Sequence, residues 1–111
     1  MNLEMIRERY LKDSFPKRLG ALAANLARIS SFSKEKPSPR VVKSLLEESE
    51  HFIEWTILEA PLELQEQLVE LQVQLALWRY RLNQGRDCFE ELAREFEKYS
   101  DQILAASGLA K

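Results

Sequence analysis

Between Pro61 and Gln84 the chain carries two apolar lines on one helical repeat, and this constrains the fold more than any other feature. At about 100° per residue, Leu64, Leu68, Leu71, Leu75, Trp78 and Leu82 fall on one seam. Leu62, Val69, Val73, Ala76 and Tyr80, flanked by Leu77, fall on a second seam on the opposite side. Polar residues fill the strips between, with Glu63, Glu70, Gln74 and Arg81 on one and Gln65, Gln72, Arg79 and Asn83 on the other. A helix at the periphery of a bundle needs only one apolar face. Two opposed faces require cover on both sides, either inside the fold or at a subunit interface.

The rest of the chain also repeats at helical spacing. Phe15, Leu19, Leu22, Leu26 and Ile29 are spaced four, three, four and three apart, beside the small residues Gly20, Ala23, Ala24 and Ala27, which let a partner helix approach closely. Val41, Val42, Leu45, Leu46, Phe52, Ile53 and Ile57 form a broad arc, and Phe89, Leu92, Phe96, Tyr99 and Ile103 form another stripe. Breaks fall at Ser14-Phe15-Pro16, at Lys36-Pro37-Ser38-Pro39 with Ser38 as N-cap, and at Ala60-Pro61. Asn83-Gln84-Gly85 stops a helix, Asp87-Cys88-Phe89-Glu90 starts the next as an acidic capping box, and Ser107-Gly108 closes the last. This predicts helices near 2–13, 15–32, 39–59, 61–84 and 87–107. The fold expected is all-α: one domain over residues 1–111, an antiparallel four-helix bundle with an additional short N-terminal helix.

Composition agrees with this reading. A chain of 111 residues with 45% hydrophobic and 31% charged residues can bury one core. Three glycines and four prolines are too few for the turns of a β-sandwich or barrel. One cysteine excludes an intrachain disulfide and a multi-thiolate zinc site. The isolated glycines Gly20, Gly85 and Gly108 make neither a phosphate loop nor a dinucleotide fingerprint. The acidic first residues lack the apolar core of a signal peptide, and no apolar run reaches the ~18 residues of a membrane span. A cytoplasmic protein without a membrane partner is expected.

The net charge of −2 hides a split: residues 1–43 hold ten basic residues against four acids, and residues 44–111 hold six against fourteen. Such asymmetry marks either a nucleic-acid arm or two halves that attract each other. The basic residues of the first half are spread around their helices, apart from Lys34, Lys36, Arg40 and Lys43 near the linker. Trp78-Arg79-Tyr80-Arg81 resembles a base-stacking cluster only in linear sequence, since the four side chains leave a helix in four directions. Internal pairing between the halves is therefore expected, and nucleic-acid binding is disfavoured.

Candidate chemistry is sparse. Glu47, Glu48, Glu50, His51 and Glu54 surround the single histidine, and Glu48 with His51 has the Glu-x-x-His spacing of di-iron bundles. Those sites need two such histidines, so a solvated acidic face is expected and no metal or cofactor. Glu48 falls inside the edge of the apolar arc, where a carboxylate is costly unless paired, and Arg18 and Arg28 are its candidate partners in a buried ion pair. Cys88 lies near a helix start, whose positive end would lower a thiol pKa, but no base accompanies it and burial as a small apolar residue is the ordinary alternative. The expectation is a non-enzymatic protein–protein interaction or assembly module, homodimeric through helix 61–84. Its interface candidates are Leu62, Val69, Val73, Ala76, Leu77 and Tyr80. The alternatives are a nucleic-acid-associated protein using the basic N-terminal half and a metal-dependent enzyme or sensor.

Overall fold

The structure, a computed structural model, describes residues 2–108. Its elements are α1 (Leu3–Lys12), α2 (Phe15–Phe32), α3 (Pro39–Thr56), a 3-10 turn (Ile57–Glu59), α4 (Leu62–Asn83) and α5 (Phe89–Ser107), with no strand among the described residues. Local chemistry explains most of the boundaries. The Asn2 side chain accepts the Met5 N–H at 3.2 Å and caps α1. Pro16 sits in the first turn of α2, where a missing N–H costs nothing. Ser33 closes α2 by donating its hydroxyl to the Ile29 carbonyl at 2.6 Å. At the end of α4, Gly85 adopts φ 75°, its N–H reaches the Leu82 carbonyl at 3.0 Å, and the Arg86 N–H reaches the Arg81 carbonyl at 3.2 Å. These are the two bonds of a Schellman stop, which needs a left-handed residue at the position glycine holds.

Two boundaries differ from expectation. The helix expected over 39–59 ends at Thr56, and its last three residues tighten into the 3-10 turn. Pro61 has no N–H to extend the α ladder, and the tighter turn lets the chain reverse within Ala60-Pro61. The helix expected from residue 87 starts at Phe89, with Cys88 as an N-cap that makes no side-chain bond. The acidic capping box is absent, and Ser38 likewise occupies the N-cap of α3 without a side-chain bond.

Packing follows the stripes. Leu19, Leu22, Leu26 and Ile29 of α2 are fully buried, and α2 lies between α5 and α3. The small residues beside that stripe meet α5. Ser100 donates to the Ala23 carbonyl at 2.9 Å, and Ser30 donates to the Ala93 carbonyl at 2.6 Å. Each contact steps seven residues up one helix as the other descends seven, so α2 and α5 run antiparallel. A hydroxyl reaches a neighbouring backbone carbonyl only where helices come close, which alanine permits. Asn25–Glu48 and Arg18–Glu59 set α2 antiparallel to α3 in the same way.

The chain then turns through Ala60-Pro61 and α4 packs on α3. Its first seam, Leu64, Leu68, Leu71, Leu75, Trp78 and Leu82, is buried throughout. The Trp78 ring meets the edge of Phe96 at 6.4 Å, but α4 and α5 touch only lightly along their backbones. Helix α1 lies against α3, where Tyr10 stacks on Phe52 at 4.2 Å. It therefore does not cover the second seam of α4. The radius of gyration, 13.4 Å, matches the ~13 Å of a compact chain of this size.

Candidate interaction surface

The second seam of α4 faces outward. Leu62 is 71% exposed, Val69 53%, Val73 49%, Leu77 40% and Tyr80 63%, with Ala76 exposed among them. From Leu62 to Tyr80 the strip runs about 27 Å along the helix. Beside it, α4 and α5 diverge around an open groove of about 440 Å³. Leu71, Ile103 and Tyr99 line its base, and Glu66, Glu70 and Gln102 stand along it. The sequence pattern located the strip; the groove depends on how far α4 and α5 splay and had no signal in the sequence.

The polar network around Glu48 corrects the expected ion pair. Glu48 is half-buried and accepts from the Asn25 side-chain amide at 3.0 Å, while Arg28 donates to the Asn25 oxygen at 2.8 Å. Asn25, only 2% exposed, thus stands between the carboxylate and an exposed guanidinium. Sequence reasoning missed it, although a polar residue between Leu22 and Leu26 on an apolar stripe was a signal. A neutral amide at this depth satisfies Glu48 without burying a second charge.

Arg18 is buried as expected but belongs elsewhere. It pairs with Glu59 and donates to the Asp13 carbonyl at 3.2 Å. Its hydrogen bond with Glu59 strengthens the guanidinium's hold on its proton and draws the Glu59 carboxyl below the usual range. Above it, the Tyr10 hydroxyl donates to the Arg18 carbonyl at 3.1 Å and shares a 2.6 Å hydrogen bond with Thr56 Oγ1. Burial pushes Tyr10 up to about 12. This cluster fastens α1, α2 and the end of α3 together.

Charge pairing between the halves is thinner than expected. Among the described residues, Arg18–Glu59 is the one ion pair joining the basic and acidic segments. Arg79 pairs with Glu50 at 2.8 Å, and Arg94 and Lys98 approach Glu95, all within the acidic segment. Most basic residues of the first half are exposed.

The remaining candidates carry no assembled chemistry. Glu48 turns toward α2, whereas His51 bonds Glu54 at 3.3 Å and stacks on Trp55, so the Glu-x-x-His pair does not converge. No group of three or more His, Cys, Asp or Glu side chains among the described residues is arranged to hold a metal. Cys88 is buried, and desolvation followed by Glu91 pushes its thiol pKa up, opposite to the lowering expected at a helix start. In the Trp78–Arg81 segment, Trp78 is buried, Arg79 turns to Glu50, Tyr80 faces outward and Arg81 lies 4.7 Å over the Trp78 ring. No described helix is long and apolar enough to cross a membrane. Comparison with protein-family models, curated proteins and solved structures finds no match.

Proposed function

We propose that this chain is a non-enzymatic, cytoplasmic protein–protein interaction or assembly module. In this reading α2–α5 form an antiparallel four-helix bundle, braced by α1, that presents the outer face of α4 to a partner. One observation carries the proposal: an apolar strip about 27 Å long, interrupted only at Glu66, is exposed on a helix whose other face is fully committed to the core. A chain that keeps such a strip keeps it for a contact, because apolar surface of this extent otherwise promotes aggregation.

A photo-reactive amino acid placed at Val73 tests this in cells, with the same residue at the exposed Glu97 of α5 as control. A covalent adduct with another polypeptide chain at 73 and none at 97 is expected. Absence of any adduct at 73 refutes the module. A second reading, nucleic-acid association through residues 1–43, draws support from the scarcity of ion pairs joining that segment to the acidic one. Binding to random duplex that survives at about 150 mM salt and weakens steeply with more salt would favour it.

A further inference from the structure

We propose that the partner of the outer face of α4 is a second copy of this chain, laid antiparallel about a twofold axis between Val73 and Ala76. The inference rests on the interaction-module reading and adds the identity and orientation of the partner. The spacing of the exposed residues suits such a pair. Leu62, Val69, Val73, Ala76 and Tyr80 are separated by seven, four, three and four residues, the repeat along which two helices pack side by side. Only Glu66 interrupts that line.

Charge along the helix selects the orientation. Glu63, Glu66 and Glu70 lie in the first half of the helix, Arg81 lies near its far end and Arg86 just past its Gly85 stop, while Arg79 is held by Glu50. No basic residue occurs between Pro61 and Trp78, and no acid between Leu71 and Arg86. A parallel pair would set each acid against its own copy, with the two Glu66 side chains facing each other in the seam. An antiparallel pair sets the acidic end of each helix against the basic end of the other. Like charges brought together at a desolvated contact disfavour the parallel pairing, and opposite charges select the antiparallel one.

Size agrees with the same register. Val73 then meets Ala76 of the partner subunit, and the small side chain lets the helices approach at the axis. Val69 meets Tyr80 of the partner subunit, so the large exposed ring covers a short aliphatic side chain rather than another ring. A self-complementary face of this kind closes as a dimer without leaving a second sticky end.

Sedimentation equilibrium of the full chain at tens of micromolar tests the pairing. The expected mass is twice the 13.0 kDa of one chain, falling to one chain in Val73→Glu with helicity unchanged. Orientation is read by disulfide trapping in a Cys88→Ser background. Val69→Cys mixed with Tyr80→Cys should cross-link, while neither alone should, because only the antiparallel register brings positions 69 and 80 within disulfide reach. Cross-linking of either variant with itself, and not of the mixture, overturns the orientation. A monomer overturns the self-pairing. If the Val73 photo-adduct to a different polypeptide persists beside that monomer, the module reading stands; if no adduct forms, both fall.

Discussion

Replacing Tyr10 with phenylalanine and Thr56 with valine, singly and together, measures the bond that fastens α1 to the rest of the molecule. The Tyr10 hydroxyl donates to the Arg18 carbonyl and shares a short bond with Thr56 Oγ1, a residue with no exposed surface. Tyr10→Phe removes the hydroxyl and strands Thr56, a buried polar group whose loss of partner costs about 1–3 kcal/mol. Thr56→Val leaves Tyr10 its carbonyl acceptor and should cost less, about 1 kcal/mol. In the double variant nothing is stranded at Thr56, so the combined loss should fall short of the sum by about 1 kcal/mol. Urea unfolding followed by tryptophan fluorescence gives the cycle directly, with Trp55 placed 5.9 Å from the Tyr10 ring. The pH dependence supplies an independent readout. Because burial raises Tyr10 from 10.0 to about 12, the folded state holds its proton longer than the unfolded chain. The stabilisation is fully present below pH 10 and is lost as pH rises toward 12, by about 2–3 kcal/mol, and Tyr10→Phe should abolish that component. Additive single variants, within about 0.3 kcal/mol, would refute the coupling.

Ser49 is fully buried and its hydroxyl has no hydrogen-bond partner among the described residues. Ser49→Ala should therefore raise stability by about 1 kcal/mol in the same urea assay, and a loss of similar size would show that the hydroxyl is bonded after all. Ala23 is 2% exposed where Ser100 bonds its carbonyl. Ala23→Leu should force α5 away from α2 and cost about 1–3 kcal/mol, with faster amide exchange along both helices; unchanged exchange would mean that the close approach is not needed.

What could be read without the structure is what adjacent residues decide among themselves. Pro16, Pro39, Gly85 and Gly108 set helix limits through their own backbone chemistry, and the three- and four-residue spacing of leucines chose which face of each helix turned inward. The buried seam of α4 is the strongest case: all six of its predicted members are in the core. At Cys88 two local readings stood open, a thiol pKa lowered by the helix start or a buried small apolar side chain, and only packing chose burial, which with Glu91 raises the pKa.

A helical wheel gives a side chain its angle and height but not the element opposite. Glu48 was correctly placed at the edge of the apolar arc, yet only the docking of α2 on α3 put Asn25, rather than an arginine, before it. Arg18 needed an anion and found Glu59, because the helix ended at Thr56 and the 3-10 turn carried that carboxylate within reach. The short α1 could have been laid on α3 or on the outer face of α4. The stacking of Tyr10 on Phe52 and its hydroxyl's bonds to Arg18 and Thr56 hold it to α3. The helices and their apolar faces were legible in the residues alone, because hydrogen bonding and side-chain period are local. That the second face of α4 stayed uncovered was settled by how the helices docked, because cover depends on the competition of distant surfaces for the same partner.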